Sequence, residues 1–359
     1  MKRRAFLKAA GIAGAAAFST PAIAEDKREL KMVTSWPRNF PGFAASAERL
    51  AQRITMATGG SLVVKVLAAE ELVGRYETFD AVSSGGADIY HGIESFWQGK
   101  SKAFNFFAAV PFGLTANEMA AWVYHGGGQE VWDRLSADFG LKPFLAGNTG
   151  SQMGGWFRKE MKVVDDFDGL NIRISGLGGD VLRRIGAAPK ALPGGELVAA
   201  LESDAIDACE WYGPWLDLTL GLHKAAKYYY YPGFHEPGTA ISAAVNRKLW
   251  EGLSGEHKAA IEAAMAAETT VTLAEFNARN TDALDVLRTK HKIGVRKFSS
   301  TILRAFGEAA GQVVTDIGTS EVSTRKVYDS FIAYRRRTVS WSKVADQGYM
   351  NARLLPFKY

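Results

Sequence analysis

Along the first part of this chain, segments with the two-residue alternation of a half-buried strand take turns with segments of helical period. Leu30-Lys31-Met32-Val33-Thr34 reads as a strand, and residues 42–58 follow with helical spacing, ended by Gly59-Gly60. Leu62-Val63-Val64-Lys65-Val66 is the next strand, a helix is predicted over 75–84, and Ala87-Asp88-Ile89-Tyr90 is a third strand. Parallel strands need a crossover, which a helix supplies, so the pattern predicts an α/β fold with a mostly parallel sheet. The chain has 359 residues. That is more than one core usually serves, so two lobes are expected.

The halves echo each other. Glu77 to Asp88 resembles Glu196 to Asp207: each runs from a glutamate, through a helix face, to a strand-borne aspartate. Chance helical packing could also produce this. Two similar lobes imply a cleft between them, where ligands prefer to bind. From Glu251 the character changes to long helical periods over 253–276, 277–290, 299–317 and 322–343. These helices are expected to brace the lobes. The last carries Arg335-Arg336-Arg337, read as a solvated face or as a partner or dimer surface.

Residues 1–24 read as an export signal. Lys2, Arg3, Arg4 and Lys8 precede an Ala/Gly-rich apolar stretch, and Ala22-Ile23-Ala24 offers a small-x-small cleavage site. Arg3-Arg4-Ala5-Phe6-Leu7-Lys8 also fits the twin-arginine pattern of export in a folded state. Removing these four cations takes the formal charge from +5 to +1. The basic balance thus belongs largely to the signal and makes no case for nucleic acid or an anionic membrane as partner. One cysteine, Cys209, remains. It cannot form an internal disulfide, so the fold rests on its core, and a buried inert thiol is the default reading.

Four segments carry chemistry. Leu170-Asn171-Ile172-Arg173-Ile174-Ser175-Gly176 alternates as a strand and places Arg173 near a glycine-rich loop. A guanidinium keeps its charge and its fork matches a carboxylate, so Arg173 is either a clamp for a small acid or a structural strand arginine. Asn148 to Gly155 offers the Gln152 amide oxygen among glycines. Cys209-Glu210-Trp211-Tyr212-Gly213 ends an echo strand and puts the Glu210 carboxylate at the cleft. Phe234-His235-Glu236-Pro237-Gly238 is a turn with another carboxylate. Together these oxygens would suit Na⁺ or Ca²⁺, although Glu210 and Glu236 could be unrelated loop acids. The histidines are scattered, which excludes a zinc-like cluster. Gly176-Leu177-Gly178-Gly179-Asp180 lacks both the third glycine of a dinucleotide fingerprint and the Gly-Lys-Ser/Thr of a P-loop. No G-x-S-x-G appears. Aromatics, among them Phe96-Trp97, Trp211 and Tyr212, are dense where the cleft should be.

Taken together, Thr34-Ser35-Trp36-Pro37, Trp97-Gln98-Gly99-Lys100, Val110-Pro111-Phe112-Gly113-Leu114, Gly150-Ser151-Gln152-Met153-Gly154-Gly155-Trp156, Gly169 to Arg173 and Ile206 to Trp211 resemble a solute-binding protein of a tripartite ATP-independent periplasmic (TRAP) transporter. The resemblance is nearer to the branch that binds 2-oxo acids such as pyruvate, and it covers essentially all of the mature chain. It implies a periplasmic binding protein-like α/β fold: two α/β lobes with a ligand cleft, hinge strands and long C-terminal helices. The expected layout is a signal over 1–24, lobe I over 25–150 completed near 240–275, lobe II over 151–240, and bracing helices over 250–359. It implies that Arg173 pairs with the substrate carboxylate. It also implies that a cation, Na⁺ or alternatively Ca²⁺, bridges protein and substrate through Gln152, Glu210 and the Trp211 backbone oxygen. Glu236 falls at a further cleft carboxylate, and Trp97 is expected to wall the substrate from the first lobe. The implied role is capture of a small monocarboxylate, a 2-oxo acid such as pyruvate or a 2-hydroxy acid such as lactate, in the periplasm, without turnover, for membrane permease subunits. A homodimer through the C-terminal helix is implied as well. An exported enzyme or a ligand-sensing subunit are the competing readings.

Overall fold

A computed structural model describes residues 27–358, so the predicted export signal lies outside the described residues. The strands are β1 (Arg28–Thr34), β2 (Leu62–Leu67), β3 (Ile89–Gly92), β4 (Leu141–Asn148), β5 (Gly155–Phe157), β6 (Asn171–Arg173), β7 (Ala188–Lys190), β8 (Ala208–Cys209), β9 (Tyr228–Tyr231), β10 (Ala240–Asn246) and β11 (Gly294–Lys297). One sheet has the order β2-β1-β3-β10-β4, the other β11-β9-β5-β8-β6-β7. β1, β2 and β3 are parallel, as are β6, β7 and β8, while β10 and β5 run against their neighbours. Both strands enter directly from the other lobe, whereas β11, reached through a long helix, pairs parallel with β9. The chain leaves the first sheet after β4 to enter the second at β5, and returns from β9 to β10.

The two echoing segments make the same bonds. Asp88 N–H donates to the Lys31 carbonyl at 3.0 Å, and its Oδ2 accepts the Lys31 N–H at 2.8 Å. Asp207 N–H donates to the Asn171 carbonyl at 2.7 Å, and its Oδ2 accepts the Asn171 N–H at 3.0 Å. Each aspartate therefore extends the ladder by one side-chain bond where its strand begins, fixing register in both sheets.

The helical run after Glu251 is one continuous helix, Gly255–Thr289, with 35 residues. At 1.5 Å per residue it is about 50 Å long, enough to span both lobes. It packs on β4 and the helix Phe43–Ala57 in the first lobe, and on the helix Pro214–Leu220 in the second. Glu268, fully buried on it, is held by Arg49 at 2.8 Å and Arg53 at 3.1 Å. The helix Ser300–Gly318 then packs on Gly176–Arg184, and Val322–Val344 returns to the first lobe. Arg335 there donates to the Phe112 carbonyl at 2.8 Å, so part of the arginine run is structural and not simply solvated.

The strand around Arg173 is shorter than its alternation predicts. It ends at Arg173, and Gly176 opens a helix. Gly178 serves close packing there: a Cβ at this position would lie 2.6 Å from His235 Cβ. Cys209 is buried and free, its thiol pushed well up by burial, which leaves it inert.

Candidate ligand-binding site

Three loops converge where the chain crosses between the sheets: 149–154, 210–213 and 232–239. Gly154 N–H donates to the Tyr230 carbonyl at 2.7 Å, Gly233 N–H to the Gln152 carbonyl at 3.0 Å, and Thr149 N–H to the Thr239 carbonyl at 3.0 Å. Gly233 must lack a side chain, since a Cβ would sit 2.6 Å from the Gln152 carbonyl oxygen. The 210–213 loop is held from beneath by Asp217. Its Oδ1 accepts the Tyr212 and Gly213 N–H groups at 3.2 and 3.1 Å, and its Oδ2 accepts Trp156 Nε1–H and the Tyr229 hydroxyl at 2.8 and 2.7 Å.

The network fixes the Gln152 amide. Thr239 donates its hydroxyl to Glu236, and Thr149 donates its own to the Gly150 carbonyl at 3.1 Å. Both oxygens are then free to accept from Gln152 Nε2, at 2.7 and 3.0 Å. This turns Gln152 Oε1 outward from the pair, buried and without a partner.

Parallel pairing of β6 with β8 sets Arg173 beside Cys209, and Glu210 follows. Arg173 Nη1 donates to the Glu210 carbonyl at 2.7 Å and reaches Glu210 Oε2 at 3.3 Å; Nε reaches the Leu192 carbonyl at 3.3 Å. The guanidinium lies 4.8 Å from the centroid of the Trp211 ring. Among the described residues its Nη2 has no partner. Glu210 is 1% exposed, and its Oε1 accepts no hydrogen bond; His235 Nε2 is 3.4 Å away. Neither ring nitrogen of buried His235 is hydrogen-bonded. Burial alone would lower its pKa, but the charges of Glu210 and Glu236 outweigh that and raise it. Glu236 is pushed up by burial and by the Glu210 charge, against the opposing pull of His235 and its hydrogen bonds.

The cleft holds about 380 Å³ and is lined from the second lobe by Arg173, Trp211, Tyr212, Glu236 and Thr239. Trp97 does not line it. That ring is 2% exposed, packed against Phe79, Tyr90 and Phe96, and its neighbours Phe96 and Gln98 form the wall instead. The structure thus brings Gln152, Arg173, Glu210, Trp211 and Glu236 to one place and leaves Trp97 in the core. Thr149, Thr239, Tyr212, His235 and Asp217 join them. Their roles depend on loops meeting from distant parts of the chain, for which no local pattern exists.

Among the described residues no group of three His, Cys, Asp or Glu could hold a metal. The donors present are of another kind. Gln152 Oε1 is a buried acceptor without a donor, Glu210 Oε1 accepts no hydrogen bond and faces only His235 Nε2 at 3.4 Å, and the Trp211 carbonyl accepts no hydrogen bond among the described residues. Each such buried acceptor costs roughly 1–3 kcal/mol. A hard cation satisfies oxygen donors of this type, so the set fits Na⁺ or Ca²⁺.

Residues 32–321 match the bacterial extracellular solute-binding proteins of family 7. A monocarboxylate 2-oxoacid-binding periplasmic protein of Nostoc is 38% identical over 324 residues, covering 89% of this chain and 88% of that protein. A TRAP periplasmic solute-binding protein of Colwellia psychrerythraea, solved with calcium and pyruvate, superposes with a TM-score of 0.87 at 34% identity, covering 91% of this chain and 100% of that one. Its counterpart from Pseudoalteromonas atlantica, solved with sodium and pyruvate, gives a TM-score of 0.85 at 34% identity, covering 91% and 99%. The chain therefore belongs to the bacterial extracellular solute-binding proteins of family 7, which are binding proteins and not enzymes.

Proposed function

We propose that this chain is the periplasmic solute-binding subunit of a TRAP transporter. It captures a small 2-oxo acid such as pyruvate, or a 2-hydroxy acid such as lactate, and delivers it to membrane permease subunits. The observation that carries this reading is the pair of orphaned buried oxygens, Gln152 Oε1 and Glu210 Oε1, beside an arginine with a free Nη2. Gln152, Glu210 and the Trp211 carbonyl would hold a cation, Na⁺ or alternatively Ca²⁺. Arg173 would take one carboxylate oxygen, leaving the other and the adjacent 2-oxo or 2-hydroxy oxygen for the cation. Simple fatty acids lack that second oxygen and are rejected. Glu236, tied to Thr239, adds negative charge to the cation side. Relatives that bind pyruvate with sodium or calcium support this assignment.

Closure of the lobes over the ligand is the change that the permease would read. Export by the twin-arginine route belongs to the same reading. So does a homodimer: Trp341, Val344 and Leu354, apolar side chains near the C-terminus, are 68, 74 and 80% exposed, and a second copy would cover them. Calorimetry with pyruvate and lactate, with and without Na⁺ or Ca²⁺, tests the assignment. Cation-dependent binding without turnover is expected. Absence of binding across the panel would remove the 2-oxo acid reading.

A further inference from the structure

The 210–213 loop brings a phenol to the head-group site together with the Trp211 carbonyl. Tyr212 lines the cleft. Its ring lies against Phe43 of the first lobe at 4.9 Å and against Trp211 at 5.2 Å, centroid to centroid. Its backbone is held as well: Asp217 Oδ1 accepts the N–H at 3.2 Å, and the carbonyl accepts the Met153 N–H at 3.3 Å. The hydroxyl is the one part of this residue left over. Among the described residues it makes no hydrogen bond.

That hydroxyl stands among the head-group charges. Burial pushes its pKa up, the Glu236 charge adds to the rise, Arg173 opposes it and Glu210 adds again. The proton therefore stays on the oxygen near neutral pH, and the group can donate. A tyrosine hydroxyl taken out of water usually has a partner, and lobe closure would take this one out of water. The nearby carboxylates are largely committed. Glu236 Oε2 accepts the Thr239 hydroxyl, Glu210 Oε2 faces Arg173 Nη1 at 3.3 Å, and Glu210 Oε1 belongs to the cation set. Glu236 Oε1 is the rival acceptor.

The ligand offers a better one. Its carboxylate oxygens go to Arg173 and to the cation, and its 2-oxo oxygen gives one lone pair to the cation. A carbonyl oxygen has two, so one stays open. Tyr212 shares a peptide bond with the Trp211 carbonyl, which places it beside the cation. We propose that Tyr212 is a specificity-determining residue whose hydroxyl donates to the oxygen next to the ligand's carboxylate. The site then reads an oxygen at that position and not merely an atom able to ligate a cation. The proposal rests on the 2-oxo acid reading above. A site built to bond a ligand group discriminates against an analogue that lacks it.

The test sets pyruvate against picolinate. Both carry a cation-chelating atom next to a carboxylate, but the pyridine nitrogen has a single lone pair, which the cation takes, leaving nothing for the hydroxyl. Tyr212→Phe removes the hydroxyl and keeps the ring between Phe43 and Trp211. By calorimetry in Na⁺ and in Ca²⁺, the variant should bind pyruvate about tenfold more weakly than wild type. It should bind picolinate within about twofold of wild type. A Ca²⁺ titration without acid, followed by tryptophan fluorescence, should also stay within about twofold, because Asp217 holds the loop through its backbone. Unchanged pyruvate binding, or equal losses for the two acids, would overturn the proposal. A shifted Ca²⁺ affinity would assign the hydroxyl to Glu236 and overturn it too. Where the wild type does not take picolinate, a pyruvate loss at unchanged Ca²⁺ affinity carries the proposal, and any other result overturns it. If wild type and variant bind pyruvate alike, the proposal alone fails. If the wild type binds no 2-oxo acid, the underlying reading fails and the proposal with it.

Discussion

Arg173→Ala separates two accounts of this side chain, because they predict opposite effects on the cation. Arg173 is either the ligand's clamp or the scaffold that holds Glu210 in place. Its Nη1 and Nε are already spent on the Glu210 and Leu192 carbonyls, at 2.7 and 3.3 Å, with Nη2 left over. If Nη2 serves the ligand, deletion removes a charge-assisted hydrogen bond worth about 1.5–3 kcal/mol. It also leaves the ligand carboxylate facing Glu210 and Glu236 with only the bridging cation to offset them. The total loss should be about 2–5 kcal/mol, or about 30-fold to about 5,000-fold in Kd. Cation binding without acid should move the other way. Two unit charges at contact range repel by about 4 kcal/mol at an effective dielectric of 20. Relieving even a quarter of that beside Glu210 tightens cation binding about fivefold. The assays are calorimetry with pyruvate in Na⁺, and a Ca²⁺ titration without acid followed by tryptophan fluorescence. Pyruvate binding within about twofold of wild type would refute the clamp. Acid and cation affinities falling in parallel would refute the electrostatic argument and make Arg173 a scaffold.

Three further outcomes follow from the same geometry. Gln152→Leu removes the orphaned Oε1, so acid binding should fall about tenfold or more in Na⁺ and lose its dependence on the cation; retained dependence in calorimetry would remove Gln152 from the cation set. Burial raises the Glu94 carboxyl from 4.5 to about 7, so the folded state keeps a proton that the unfolded state releases, and stability falls as pH rises through that window. Urea unfolding should therefore show the wild type losing about 3 kcal/mol relative to Glu94→Gln between pH 4.5 and 7. His91, pushed down to about 3 by burial, slopes the opposite way below 6.5, which is why the variant difference and not the wild-type profile is the measurement. Asp217→Asn turns an amide nitrogen toward donors now satisfied by oxygen, and should lower the unfolding free energy by about 2–3 kcal/mol; an unchanged urea midpoint would show that the 210–213 loop is held by other contacts.

Periodicity suffices for the elements around residues 30 to 90, because each buries one face and repeats its pattern often enough to be read. It fails where an element is too short to repeat. β6 has three residues, and the alternation through Ser175 continues past the point where Gly176 starts a helix. Nor can it choose between consecutive aromatics in a tight 3₁₀ turn: Phe96 faces the cleft while Trp97 fills the core. The candidate site residues, Arg173 in the cleft wall and the buried Glu210 and Gln152 behind it, are legible through chemistry and family resemblance. Their supports are not. Thr239 meets Gln152 from 87 residues away, and Asp217 meets Trp156 across 61. Such contacts are products of the two sheet crossings, and no local residue pattern encodes them.

The repeated aspartate bond puts a residue of different chemistry at the same place in each lobe. Three residues beyond Asp88 lies His91; three beyond Asp207 lies Glu210. In the first lobe His91 Nδ1 accepts Trp36 Nε1–H at 2.8 Å, and burial keeps the imidazole neutral. The indole takes one ring nitrogen, and the other, Nε2, is buried without a partner. In the second lobe the equivalent end carries a buried carboxylate, flanked by Arg173 at 3.3 Å, His235 at 3.4 Å and, behind Arg173, Trp211. The same backbone device thus sets a neutral imidazole at one strand end and a carboxylate beside Arg173 at the other. A ligand head should therefore dock on the open second lobe first, with the first lobe contributing affinity only as it closes. Substitutions at Gln152 or Glu210 should then weaken the initial encounter, and changes to Tyr76, Phe96 or Gln98 should act on release.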